Sequence, residues 1–237
     1  MSLRETWNAQ AQDWIRFART PGHDHAYERL NLPRFLELLP PPGQKTLDVG
    51  CGEGRLGGAL VARGHSVVGV DTSAALVGAA RDRHEALVAD ATSLPFADGS
   101  FDLALAFMSL HDMDEPAAAV REIARVLSRD GRFCLALEHP IASSGRFASR
   151  DATASFVTDS YLGRHRRDDV HERDGIRTVF AKQTGPLEWY TRMLEKAGLL
   201  IEAIREPAPT DDHVADRAPM SRWMRLPLFL HVRAVKP

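Results

Sequence analysis

The chain has 237 residues, a formal net charge of −2, and 44% apolar against 26% charged side chains, a balance that suits a soluble domain with a full core. The near-neutral charge gives no electrostatic basis for nucleic acid or an anionic membrane as a main partner, and no apolar run reaches a membrane-spanning length. Cys51 and Cys134 are too few for a disulfide framework and read as small packing residues; with no basic-then-apolar leader, the expected location is cytoplasmic.

The first forty residues read as helical. Leu3, Trp7, Ala11, Trp14, Ile15 and Ala18 recur at helical spacing until Pro21-Gly22, and a second helical stretch covers Tyr27 to Leu39 with Pro33 as a kink or restart. Pro40-Pro41-Pro42-Gly43 ends this part, so residues 1–43 are expected to form a helical cap and 44–237 the main domain. Strands are predicted at Thr46–Val49, Ser66–Val70, Ala86–Ala89, Leu103–Phe107 and Phe133–Glu138. Between them lie helices at Arg55–Arg63 (closed by Gly64), Ser73–Arg83 (Ser73 as N-cap) and Glu115–Leu127 (Asp114 as N-cap). Short strands that are apolar on both faces and joined by helices predict a parallel sheet covered on both sides.

After His139-Pro140 the texture changes. Residues 141–175 are rich in Ser, Gly, Arg and Asp and read as an insertion on the substrate side. A strand over Ile176–Ala181, a helix over Pro186–Ala197 closed by Gly198, and strands over Leu199–Arg205 and Leu228–Val235 then follow. The mixed-charge run Arg164–Asp169 reads as a solvated face, and Asp168-Asp169 and Asp211-Asp212 as surface acids without a third converging ligand, so no metal is expected.

The sharpest signal is Leu47-Asp48-Val49-Gly50-Cys51-Gly52-Glu53-Gly54-Arg55, followed one strand later by Val67-Val68-Gly69-Val70-Asp71. A glycine-rich turn from strand to helix lets a ligand touch the backbone, and an acid closing the next strand can accept ribose hydroxyls. A nicotinamide-dependent oxidoreductase, NAD(P)-linked, is the main alternative, and a non-catalytic cofactor-binding module the other. Arg55 stands where the dinucleotide spacing wants its third glycine, which counts against the first.

With Ala89–Phe96, Phe101–Leu105 and Glu122–Leu127 running into Asp130-Gly131-Arg132-Phe133, the chain resembles the class I S-adenosylmethionine-dependent methyltransferases, in particular the small-molecule, type 11-like family. The resemblance covers residues 7–139 well and the remainder loosely. It implies a Rossmann-like, doubly wound α/β fold with a mostly parallel seven-stranded sheet, its last strand antiparallel. It also implies S-adenosylmethionine as cofactor and S-adenosylhomocysteine as product. Asp48, Gly50 and Gly52 would then face the amino-acid end of the cofactor, Asp71 the ribose with Thr72 and Ser73 beside it, and Asp90 and Ala91 the adenine. Phe107 and Met108 would line the donor pocket, and Trp14 on the N-terminal helix would close over the cofactor.

Candidate bases belong outside the carboxyl ends of the strands. His111 follows the fourth strand and His139 the fifth, with Glu138 beside it, although adjacent strand residues point to opposite sides. Trp7, Tyr27 and Tyr161, with the two histidines, are the expected acceptor contacts. Aromatic residues with few fixed charges suit a flat or apolar small molecule, aromatic or heterocyclic. The acceptor atom, the need for a base and homodimerisation stay open.

Overall fold

The computed structural model describes residues 1–237. In chain order the elements are α1 (Leu3–Ala9), α2 (Ala11–Arg19), a π-turn at Tyr27–Asn31 running into α3 (Leu32–Leu36), β1 (Thr46–Val49), α4 (Arg55–Val61), β2 (Val67–Asp71), α5 (Ala74–Ala80), β3 (Glu85–Val88) and β4 (Phe101–Phe107). They continue with α6 (Pro116–Val126), β5 (Leu127–Glu138), α7 (Pro140–Ser143), β6 (Gly145–Phe147), β7 (Phe156–Thr158), β8 (His165–Arg173), β9 (Ile176–Thr184), α8 (Leu187–Lys196), β10 (Leu200–Arg205), α9 (Asp211–Asp216) and β11 (Phe229–Val235).

Seven strands form one sheet in the order β10-β11-β5-β4-β1-β2-β3. Strands β1 to β5 pair in parallel, and β11 runs antiparallel to both β5 and β10. Thr46 of β1 faces Val67 on one side and Leu103 on the other, so the strand order reverses at β1. A crevice at the carboxyl ends of β1 and β4 is where such a sheet holds ligands.

Burial of both faces holds this sheet in place. On one face α6 and α8 pack Val120, Ile123, Tyr190 and Leu194 against Leu47, Ala104 and Leu135. On the other, Phe35 of α3 and Leu56 and Leu60 of α4 cover Leu103, Leu105 and Cys134. Each such large side chain contributes about 1.5–3 kcal/mol by leaving water. Gly64 and Gly198, with φ of +89° and +74°, close α4 and α8 in the left-handed conformation expected of them.

Several local expectations are corrected. The first helical stretch is two helices, α1 and α2, parting at Gln10, whose side chain bonds both the N–H and the C=O of Val179 in β9. Asp114 does not cap α6, which starts at Pro116; its carboxylate instead accepts from the Leu3 and Arg4 N–H groups at the start of α1. The strand predicted at Phe133–Glu138 begins earlier, at Leu127, and Asp130-Gly131 lies in its bulge, where the register steps from Phe101↔Leu127 to Leu103↔Arg132. The insertion also extends past residue 175. The strand predicted at Ile176–Ala181 is β9, and it forms a hairpin with β8 outside the main sheet.

Candidate active site

The β1–α4 turn makes a backbone cradle. Gly50, Gly52 and Gly54 have φ of +71°, +55° and +86°, a region in which side chains are strained. A Cβ on Gly50 would stand 2.4 Å from the Cβ of Ser109, whose hydroxyl donates to the Val49 C=O at 2.6 Å. Gly50→Ala is therefore expected to distort the turn and lower cofactor affinity more than tenfold, read by calorimetry. Asp71 at the end of β2 ties the cradle together, accepting from the Gly52 N–H at 3.0 Å and the Ser73 N–H at 2.9 Å.

Three carboxylates, of Asp48, Glu53 and Asp71, line one cavity of about 840 Å³, in the upper part of the range that encloses small ligands. Burial, aided by Asp71 and Glu53, pushes the Asp48 carboxyl up to about 7. Burial also raises Asp71, against the hydrogen bonds from Ser73 and Gly52. Asp48 Oδ2 and Glu53 Oε1 are buried without a hydrogen-bond partner; the Arg55 Nε stands 3.6 Å from Glu53 Oε1, so the uncompensated acceptor is Asp48.

The N-terminal helices close over it. Trp14 donates Nε1–H to Glu53 Oε2 at 3.0 Å and packs edge-on against Phe180 of β9 at 5.6 Å. Trp7 meets Trp14 edge to face and donates to the Ala181 C=O at 3.1 Å. Arg55, which the sequence marks as the missing glycine, lies over the Tyr27 ring at 3.5 Å and pairs with Asp24 at 2.9 Å. Arg4 pairs with Asp90, whose carboxylate also accepts from the N–H and hydroxyl of Thr92.

Opposite the cradle is a charged cluster that the sequence did not disclose. Lys182 of β9, almost wholly buried, bonds Glu138 at the end of β5 at 2.5 Å and Asp169 of β8 at 2.8 Å, and Asp169 also accepts from Arg167 at 2.9 Å. The solvated-face reading of Arg164–Asp169 thus fails at Arg167 and Asp169, which point at the cavity because β-strand side chains alternate. Burial lowers the Lys182 ammonium, but Glu138 and Asp169 outweigh it and leave it raised. His111 Nε2 stands 3.3 Å from Asp112 Oδ1. Burial pushes His111 down to about 3 and Asp112 well above the usual carboxylate range. The His111 Nδ1 is buried without a partner.

Of the residues singled out in the sequence, Trp7, Trp14, Tyr27, Asp48, Gly50, Gly52, Asp71, Thr72, Asp90, Ala91, Phe107, Met108, His111 and Glu138 all line this cavity. Ser73 stands behind it as an N–H donor. His139 and Tyr161 lie outside its lining. Both His139 nitrogens are engaged, Nδ1 accepting from the Ile141 N–H at 3.0 Å and Nε2 facing Glu206 at 2.9 Å. Tyr161 instead accepts from the Leu187 N–H at 3.3 Å. Glu138 and His139 do diverge, as their strand spacing implies.

A family described as "Methyltransferase domain" matches residues 47–135, the span from the cradle through β5. Residues 47–135 are thus similar to a methyltransferase domain. The chain is 41% identical over 122 residues to an O-methyltransferase of Pyrenophora dematioidea, covering 47% of this chain and 45% of that protein. It is 43% identical over 96 residues to a demethylmenaquinone methyltransferase of Corynebacterium kroppenstedtii, covering 40% and 42%. The match thus spans less than half the length of either relative. An S-adenosylmethionine-dependent methyltransferase from Mesorhizobium loti superposes with a TM-score of 0.71 at 26% identity, covering 86% of this chain and 96% of that one.

The cavity fits S-adenosylmethionine, the cofactor of the methyltransferases this stretch resembles. S-adenosylmethionine bears a sulfonium and an ammonium, and the orphaned Oδ2 of Asp48 is an acceptor for a positive or donating group. Both Asp71 oxygens retain a lone pair after their backbone bonds, enough for two ribose hydroxyls.

Proposed function

We propose that the protein transfers a methyl group from S-adenosylmethionine to a hydroxyl of a small-molecule acceptor. The carrying observation is the convergence of Asp48, Glu53 and Asp71 on one cavity in which Asp48 Oδ2 has no partner. Such a set attracts a cationic cofactor and opposes the pyrophosphate of a dinucleotide. The O-methyltransferase among the relatives favours oxygen as the acceptor atom.

When bound, the cofactor supplies a methyl group on positively charged sulfur, ready for in-line displacement. The chain supplies position. Gly50 and Gly52 keep side chains out of the cofactor's path, Asp71 and Thr72 hold the ribose, Asp90 and Ala91 bound the adenine end, and Phe107 and Met108 wall the donor pocket. Residues 1–43 act as a lid, with Trp14 and Arg4 bridging to Glu53 and Asp90, which excludes water from the transfer. Alignment of this kind supplies on the order of 7–11 kcal/mol of barrier lowering.

The base is His111. It is neutral at rest, its Nδ1 has no internal partner, and Asp112 Oδ1, 3.3 Å from its other nitrogen, fixes the ring. Glu138, fixed by Lys182, orients the acceptor. His139 has neither a free nitrogen nor a place in the cavity and takes no part. His111→Ala is expected to lower kcat by roughly 10²–10⁴ while the dissociation constant for S-adenosylmethionine stays within a factor of about two. An unchanged kcat removes His111 from the mechanism.

A further inference from the structure

Beyond Met108 the cavity continues into a second lobe of different chemistry. Met108 packs on the cluster of Leu30, Met220 and Phe229, against which Trp223 also rests. Phe229 pairs with Glu138 across β11 and β5, so this lobe opens beside the acceptor end of the site. Its walls are Phe147 of β6 and Trp223, edge to face at 4.9 Å. Arg222 lies 5.3 Å from the Phe147 ring centre and 5.9 Å from that of Trp223.

The arginines here lack counter-charges. Arg150, Arg217 and Arg222 all line the cavity, and none of them has a carboxylate partner, whereas their neighbour Arg146 pairs with Asp159 at 3.3 Å. Arg222 donates to the Ser149 C=O at 3.1 Å, but its Nε–H is buried without an acceptor. His25, also in the lining, keeps both ring nitrogens buried and unpartnered. A buried donor left unpaired is costly, and burial together with the charge of Arg150 works against the Arg222 guanidinium, so an anion at Arg222 would complete its surroundings.

We propose that this lobe is an anion-binding subsite that selects an aromatic carboxylate as the acceptor. The ring packs against the outer side of the Phe147–Trp223 pair, and the carboxylate is held by Arg222 with Arg150 and Arg217 at the mouth. This assignment rests on the methyl-transfer reading of the same cavity and departs from the expectation of an acceptor pocket with few fixed charges. The chain carries a net charge of −2, which favours a small acid over a polynucleotide.

The test uses the full chain loaded with S-adenosylhomocysteine and a set of paired probes: benzoate, 2-naphthoate and 4-hydroxybenzoate against their primary amides. Calorimetry is expected to show at least one acid binding tenfold or more tighter than its amide. Arg150→Gln/Arg222→Gln should erase that preference, and Arg217→Gln, an exposed change that cannot unfold the core, should reduce it severalfold. The affinity for S-adenosylhomocysteine should not change in either variant. Equal binding of acids and amides, a preference that survives both variants, or binding of a single-stranded RNA oligonucleotide but no acid overturns the proposal. Failure of wild-type protein to bind S-adenosylhomocysteine would instead count against the methyl-transfer reading, because the comparison of acid with amide can be made without it.

Discussion

Asp71→Ala is expected to weaken S-adenosylmethionine binding by about 2–3 kcal/mol, the scale of losing charge-assisted hydrogen bonds, or roughly 30- to 150-fold. Two losses combine. The ribose loses its acceptor, and the N–H groups of Gly52 and Ser73 lose the carboxylate that sets the turn. Calorimetry on the variant reads the first, and a thermal melt separates it from global unfolding. An affinity within threefold of wild type would contradict the assignment.

The same acid cluster sets a pH dependence. Burial and its acidic neighbours hold the Asp48 carboxyl near pH 7 in the free protein. A cationic cofactor binds the ionised form better, so affinity should rise between pH 6 and pH 8, by up to about tenfold, with proton release on binding. Titrations in buffers of different ionisation enthalpy measure that proton directly.

Lys182→Met is expected to be the most destabilising single change outside the apolar core. The ammonium compensates Glu138 and Asp169 in a buried setting. Removing one partner of a buried pair leaves charge uncompensated at a cost of about 3–5 kcal/mol, a fall in melting temperature of roughly 6–20 °C for a domain of this size. Burial opposes the ionised form of Asp169, but Lys182 and Arg167 hold it below the ordinary carboxylate value, while Lys182 is held above the ordinary lysine value. The contribution of Asp169 is therefore present above its unfolded pKa of about 4 and lost as pH falls through its lower folded value. That of Lys182 is present below about 10.4 and lost as pH rises through its higher folded value. The gap between variant and wild type should be widest between about pH 5 and pH 10. A gap that does not shrink at either extreme would show that Lys182 acts through packing of its stem alone.

Much of the central sheet was legible because its signals are local. A glycine turn, an acid closing a strand and helices closed by Gly64 and Gly198 act over a few residues, and each survives being read one at a time. The cofactor cradle follows from the same stretch. What escaped depends on pairing over long sequence distances. The Arg167–Asp169–Lys182–Glu138 network joins β8, β9 and β5, and polar residues on exposed-looking strands give no hint that a hairpin folds over a cavity. Asp114 read as a local cap because that is its commonest use, yet the start of α1, 110 residues away, competes for it. His139 stands out in sequence by following the fifth strand beside Glu138, and only the structure discloses that Glu206 and the Ile141 N–H engage both its nitrogens. The arginine lobe was hidden for the same reason, since Arg150 and Arg222 lie 72 positions apart in the chain.

The most direct test of the account is a calorimetric titration of the wild-type chain with S-adenosylmethionine and, separately, with NAD⁺ at pH 7.5. The acidic cradle predicts one saturable site for S-adenosylmethionine and no measurable heat from the dinucleotide. Saturable binding of NAD⁺, or no binding of S-adenosylmethionine by protein whose thermal melt shows it folded, would contradict it.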